Sequence, residues 1–267
     1  MKKKIFAICL VAILVLTAIT GATLAYLTDT DKADNVFTVG NVQIKLVEQQ
    51  RGYDDNGELT LVGFENKKVL LPIVGSAQGE KDKYGLPTAA NYVDKIVTVE
   101  NTGASDAYVR VIVAIPSALD YPAGPLHWNL GNDFKGAAEG AYDDEVTLAC
   151  VAENVDADVD GDGEIDADKW NIYTFTYQTA VEGKKINEDA KVTPFAAIVG
   201  FYLDALVDNY LDENNKIKYT YNGKDVNYDL ANGVTIPVFA QAVQSAGFAT
   251  AEAAFTAAKL PTNPWAN

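Results

Sequence analysis

The chain has 267 residues, of which 48% are hydrophobic and 22% charged, and its formal net charge is −16 at pH 7. This length and apolar content are sufficient for a substantial core and exclude a disordered chain. The negative charge excludes nucleic acid and anionic lipid surfaces as favoured partners, because both would repel the protein.

The first 25 residues have the layout of a secretory signal peptide. Three lysines at positions 2–4 precede an apolar stretch over residues 5–19, and Thr23 and Ala25 place small residues at positions −3 and −1 of a cut after Ala25. This pattern predicts cleavage between Ala25 and Tyr26, so that residues 26–267 form a single secreted domain without a stable membrane anchor. The alternative is an uncleaved anchor, for which the apolar stretch is near the minimum of roughly 17 residues.

The two cysteines indicate an exported protein without disulfides. Cys9 would leave with the signal peptide, and Cys150 would then be the only cysteine. This composition favours the exterior of a Gram-positive bacterium. Because Cys150 lies in an apolar run, we expect it to be a small buried hydrophobe rather than a reactive thiol.

Alternating apolar residues predict strands from residue 42 onward. Val42, Ile44 and Leu46 define the first strand, and residues 92–100 and 107–115 form the clearest pair around an Asn-Thr-Gly turn. Within the second strand of that pair, Arg110 is predicted to lie on the solvent face beside local carboxylates.

Further strands follow, with one helix at the end. Aromatic residues alternate from Trp170 to position 177, residues 204–213 are predicted to contain a helical turn, and Asn222-Gly223 predicts a type I′ hairpin. Thr250 is expected to cap a short alanine-rich helix. The predicted fold is all-β, an antiparallel β-sandwich or jelly roll with an acidic loop insertion (152–169), a hairpin insertion (204–232) and a short C-terminal helix.

The acidic loop carries the one motif with a defined ligand chemistry. Counting Asp158 as position 1 of a calcium loop places Gly163 at position 6, Ile165 at position 8 as an apolar anchor, and Lys169 where a bidentate acid normally stands at position 12. We therefore expect a structural Ca²⁺ site, and the alternative is a solvated loop without metal. Its candidate ligands are Asp156, Asp158, Asp160, Asp162, Glu164, Asp166 and Asp168.

No catalytic constellation is visible in the sequence. His127 is the single histidine, no HExxH motif is present, and one histidine cannot build a histidine-based zinc site. His127 is expected to be an aromatic-packed loop residue beside Trp128. The sequence therefore predicts that the protein is not an enzyme.

Three blocks of the chain together resemble the TasA/camelysin family of exported proteins, which use a SipW-type signal peptidase. The blocks are the junction AYLTD at 25–29 with the strand behind it, residues 92–115 with VENTG and AYVRV, and residues 170–255 with an insertion. Leu27 stands where the family often has phenylalanine, which is a mild departure. The motifs are weak individually, and their order is what carries the resemblance.

The resemblance implies a secreted structural protein of the cell surface or biofilm matrix whose subunits assemble into fibres with themselves and with other matrix components. Assembly by strand addition needs a free strand, and the freed N-terminal segment is the natural donor. The predicted donor residues are Val36, Phe37, Val42, Ile44 and Leu46. The alternatives are a calcium-stabilised adhesin or glycan-binding module, using the Trp170 strand or the tyrosine-lined hairpin, and a camelysin-like metalloprotease.

Overall fold

The computed structural model describes residues 28–32, 42–65, 68, 70–129, 140–142, 145–214, 216–230 and 233–266. The predicted signal peptide, the cleavage point at Ala25 and Tyr26, and the donor residues Val36 and Phe37 lie outside the described residues.

Two antiparallel sheets face each other, and a third, smaller sheet packs against the edge of their core. The first sheet contains, in spatial order, β1 (Thr28–Lys32), β15 (Val238–Gln244), β5 (Ala107–Pro116), β9 (Trp170–Tyr177), β8 (Val146–Val155) and β7 (Gly140–Tyr142). The second contains β3 (Leu59–Gly63), β2 (Ile44–Tyr53), β4 (Val93–Asn101), β11 (Ile198–Leu203) and β6 (Leu126–Trp128), and β10 (Lys191–Val192) also pairs with β4. The third contains β12 (Val207–Leu211), β13 (Ile217–Tyr221) and β14 (Lys224–Asp225). The predicted sandwich is confirmed.

Strand β5 shows how both faces of the first sheet are covered, since all its residues are buried. Val109, Val111 and Val113 point into the main core with side chains of the second sheet. The alternate residues, such as Ile112 and Ala114, lie on the opposite face in a second apolar cluster with the C-terminal Trp265. The central strand is therefore buried on both faces.

The third sheet confirms one local prediction and corrects another. Asn222 and Gly223 both have positive φ, 51° and 73°, as a type I′ turn requires. The helical turn predicted within residues 204–213 is wrong, because β12 occupies that segment and pairs with β13 from Val207 to Leu211. An aspartate turn at Asp212, which accepts hydrogen bonds from two backbone N–H groups, closes this second hairpin.

The predicted C-terminal helix is confirmed as α1 (Ala251–Ala258). The Thr250 Oγ1 accepts a hydrogen bond from the backbone N–H of Ala253 at 3.2 Å, so the residue caps the helix as its side-chain chemistry suggests. Among the described residues, no helix is both long enough and apolar enough to cross a membrane.

Candidate functional site

The acidic loop connects β8 to β9 and is shaped by its own carboxylates. The two oxygens of Asp158 accept hydrogen bonds from the backbone N–H groups of Gly161, at 2.7 Å, and Gly163, at 3.0 Å. Both glycines have positive φ, 77° and 95°, a conformation that side chains disfavour. The Asp-x-Asp-x-Asp-Gly sequence therefore produces a tight loop around the first aspartate.

Three carboxylates converge inside this loop. One carboxylate oxygen from each of Asp158, Asp160 and Asp162 lies within 4.8 Å of the others. Hard divalent cations such as Ca²⁺ prefer oxygen ligands of this kind, and a cation would offset the repulsion between three close charges. The geometry is compatible with a cation site, and an exposed acidic cluster of this kind is also common without a metal.

The other predicted ligands occupy different environments. Asp156 forms an ion pair of 2.8 Å with Lys169, the residue at position 12, and both side chains are largely exposed. Asp166 Oδ2 accepts a hydrogen bond from the Val159 backbone N–H at 2.9 Å and so closes the loop base. Burial and the neighbouring charge of Asp166 raise the pKa of Asp168. Glu164 is exposed.

The apolar anchor predicted for position 8 is wrong. Ile165 is 46% exposed, whereas Ala157, just before the first aspartate, is fully buried. The reason is tertiary, because the C-terminal segment covers the base of the loop and leaves its tip in solvent.

Strand β1, which follows the predicted cleavage point, forms an edge of the first sheet. It pairs antiparallel with β15 over five residues, from Thr28 opposite Val243 to Lys32 opposite Phe239. Its register partners Ala242 and Ala240 are fully buried. A strand at this position therefore covers backbone groups that border the main core.

Three of the predicted donor residues belong to the chain's own core. Val42 and Ile44 are fully buried and Leu46 is half-buried. Ile44 and Leu46 lie in β2, opposite Asn101 and Val99 of β4. These residues are integral to the second sheet, so they are not a free strand in this structure, and β1 is the N-terminal strand at a sheet edge.

His127 is packed by aromatic rings, as predicted, although it lies in strand β6 rather than in a loop. Its ring stacks on Tyr202 at 4.7 Å and lies 4.2 Å from the ring of Tyr121. Its Nε2 is 2.8 Å from Asp204 Oδ2, which positions the ring further. These contacts join β6 to the segment that leads into the third sheet and fix the orientation of the ring.

The environment of Cys150 is that of an unreactive thiol. Burial and the nearby charge of Glu153 raise the pKa of Cys150 to about 11, so the thiol stays protonated at neutral pH. Cys150 packs against the main core but is half-buried, so the expected burial is only partly met, while the raised pKa agrees with an unreactive thiol.

The prediction that Arg110 faces solvent beside carboxylates is wrong. Its side chain is buried, its guanidinium lies 4.0 Å above the ring of Phe255, and its Nε donates to Thr176 Oγ1 at 3.2 Å. Burial lowers the pKa of Arg110, and no carboxylate among the described residues pairs with it. Helix α1 folds back over this face, which no local pattern around Arg110 indicates.

The aromatic residues considered for glycan stacking are covered. Trp170 is 4% exposed, and the side chains of its strand, β9, point into packed clusters. The hairpin tyrosines Tyr219, Tyr221 and Tyr228 are half-buried against the main core. Neither set forms an open stacking platform.

Sequence reasoning missed two polar centres that hold loops on the sandwich. Arg51 binds two aspartates and a carbonyl group, and Asp120 accepts hydrogen bonds from three side chains. The partners of each centre are far apart in the sequence, so no local motif could have indicated either one.

These features define an anionic antiparallel β-sandwich with an N-terminal edge strand and an acidic loop. Comparison with protein-family models, with curated proteins and with solved structures finds no significant match to the chain. The likeness to the TasA/camelysin family therefore rests on the sequence motifs alone.

Proposed function

We propose that this protein is a secreted structural subunit of a bacterial cell surface or biofilm matrix, which assembles with copies of itself by strand addition. The observation that carries the proposal is the position of β1. This strand directly follows the predicted cleavage point and pairs with the last strand of the sandwich.

Departure of β1 would leave the β15 edge open. Its backbone N–H and C=O groups on that side would lose their partners next to the buried Ala240 and Ala242. Such an edge is a template for an extended strand from another molecule. A β1 strand from a second copy fits the vacated position as well as the chain's own strand does, because the two are identical.

The opposite edge of the first sheet is less suited to strand addition. Strand β7 covers only residues 146–148 of β8, and the remainder of β8 is irregular, with register shifts between Cys150 and Ala152 and between Ala152 and Val155. Irregularities of this kind discourage edge-to-edge pairing. The edge at β15 is therefore the favoured acceptor.

The proposed donor is the segment before Val42, since β2 belongs to the subunit's own second sheet. Export would depend on a SipW-type signal peptidase, and cleavage after Ala25 would free the donor only outside the cell. Cleavage removes three lysines and no acids, so the formal net charge of −16 becomes −19, from 18 basic and 37 acidic residues. This charge opposes close packing of subunits, so added salt should favour assembly.

Deletion of residues 26–40 is expected to abolish fibre formation by the cleaved protein. Residues 26–267 should form fibres under electron microscopy, and the shortened chain should stay monomeric because it lacks the donor. A Thr30→Pro variant keeps the length of the segment but disfavours a paired strand at its centre, so it should also fail to assemble, whereas Thr30→Val should assemble. Fibres that persist in the deletion would rule out this donor.

A calcium ion in the acidic loop is part of the same proposal, with Asp158, Asp160 and Asp162 as the central ligands. Calorimetric titration should show binding at about 10⁻⁴–10⁻³ M, the range of extracellular modules. Asp158→Asn should remove most of the binding, because this carboxylate also shapes the loop.

The matched control for calcium is Asp156→Asn. Asp156 is engaged with Lys169 outside the carboxylate triad, so its replacement should leave the affinity within about twofold. Absence of both a heat signal and a shift in melting temperature for the native protein would contradict the calcium proposal and leave the assembly proposal intact.

A further inference from the structure

The segment after α1, residues 260–266, runs back along the outer face of β15, and we call it the C-terminal strap. Along β15, the outward-facing side chains contact first α1 and then the strap. Val243 packs against α1, Gln241 Nε2 donates to the carbonyl oxygen of Pro261 at 2.9 Å, and Phe239 meets Trp265 edge to face at 6.3 Å. The strap thus ends at the far end of the strand.

Trp265 and the base of the acidic loop pack in the same apolar cluster. The ring is 5% exposed and lies in one apolar cluster with the fully buried Ala157. The backbone is also connected, since the Asp158 N–H faces the Trp265 carbonyl oxygen at 3.4 Å. The remaining buried members of this cluster are Ile112, Ala114, Trp170, Ile172 and Phe239.

The base of the loop is attached to this cluster by Ala157, with the half-buried Val159 packed beside it. Of residues 156–168, all of which the structure describes, Ala157 is the one that is buried. The carbonyl oxygen of Ala157 accepts the N–H of Asp166 at 3.0 Å, and this bond closes the loop base. Ile165, next to Asp166, gives no anchor, because it is exposed.

We propose that the C-terminal strap is a latch for the acidic loop: the loop base is closed while Trp265 is seated and opens when the strap leaves. The mutual repulsion of the loop carboxylates favours the open state once the apolar contact is lost. Release would also uncover the apolar outer face of the first sheet next to Phe239. The latch requires neither a bound metal nor self-assembly.

Hydrogen exchange of residues 26–267, followed by mass spectrometry, tests the latch. In Trp265→Ala, peptides covering 157–166 should exchange at least about tenfold faster, while peptides of β5 and β9 stay protected. The matched control is Phe255→Ala, which removes a buried ring of α1 from a different cluster. That variant should loosen the helix and leave the loop unchanged.

If the strap and the loop are coupled, a change in the loop must also loosen the strap. The variant Ala157→Leu tests this and covers the case in which Trp265→Ala does not fold. Ala157→Leu places extra volume against the indole, so peptides covering 260–266 should exchange faster. Ile165→Ala, at an exposed side chain of the same loop, should have no effect. Unchanged exchange of the strap in Ala157→Leu would overturn the proposal, as would equal exchange of the loop in Trp265→Ala and Phe255→Ala.

Discussion

Replacement of Arg51 by alanine is expected to lower the free energy of unfolding by about 3 kcal/mol. Its guanidinium binds Asp94 in a bidentate manner, with Nε at 2.7 Å and Nη2 at 2.6 Å from the two carboxylate oxygens. Nη1 donates to Asp82 Oδ2 at 3.1 Å and to the carbonyl oxygen of Pro87 at 2.9 Å. One side chain thus connects β2, β4 and the loop of residues 75–90.

The size of the effect follows from the two carboxylates that would lose their partner. Both aspartate side chains are only 10% exposed, and Arg51 is 17% exposed, which places the effect at the lower end for a broken buried ion pair. Urea denaturation measures the change. Arg51→Lys keeps the charge without the bidentate geometry and should recover less than half of the loss. A change below about 1 kcal/mol for Arg51→Ala would mean that the cluster behaves as a surface ion pair.

The Arg51 cluster also predicts a dependence on pH. Burial tends to raise the pKa of Asp82, but hydrogen bonds from the Leu86 and Tyr84 backbones and from Arg51 outweigh it, so the net pKa is lowered. A lowered carboxyl pKa contributes stability that is present above the ordinary aspartate pKa and is lost as the pH falls through the folded value. The free energy of unfolding of Arg51→Ala should therefore fall less than that of the native protein when the pH is lowered into the acid range.

The second large effect is expected for Asp120→Asn, at about 3 kcal/mol. The Asp120 carboxylate is 3% exposed and accepts hydrogen bonds from Trp128 Nε1 at 3.2 Å, from Asn171 Nδ2 at 2.7 Å and from the Tyr173 hydroxyl. An amide would turn an NH₂ group toward at least one of these donors. The result would be a buried cluster of donors with too few acceptors.

The pH dependence at Asp120 has the opposite sign to that at Asp82. Burial raises the pKa of Asp120 above its ordinary value, despite the three donors. Stability from a raised pKa is fully present below the ordinary aspartate pKa and is lost as the pH rises through the folded value. The difference in the free energy of unfolding between the native protein and Asp120→Asn should therefore grow as the pH is lowered from neutral.

Chemical denaturation at several pH values tests both statements. Tyr173→Phe is the matched control, since it removes one donor and leaves the carboxylate, and it should cost about 1 kcal/mol. An Asp120→Asn effect equal to that of Tyr173→Phe, or a difference that shrinks in acid, would contradict this account of the network.

Elements that depend on neighbouring residues could be predicted from the sequence. The two strands of residues 92–115 follow from β-branched alternation, the hairpin from the positive φ that Asn222 and Gly223 tolerate, and the helix start from Thr250. The pairing predicted for those two strands is wrong, because β4 lies in the second sheet and β5 in the first. In each case the decisive backbone preference or hydrogen bond lies within a few residues. The carboxylate triad of the acidic loop belongs to the same group, since its aspartates alternate along one tight turn.

Features that depend on what covers a surface could not be predicted in this way. Arg110 and Ile165 were each assigned to the wrong environment, because α1 and the C-terminal strap return to the outer face of the first sheet. The donor assignment depended equally on long-range pairing, since β4 takes Ile44 and Leu46 into the second sheet.

The sequence by itself therefore determined the all-β class, the turn types, the acidic loop and the helix cap, whose physical causes are local. Only the tertiary structure decided which side chains are covered, which edge β1 occupies, and how Arg51 and Asp120 gather their partners. Those outcomes depend on contacts between residues far apart in the chain, and a strand's alternation does not state what will lie against each of its faces.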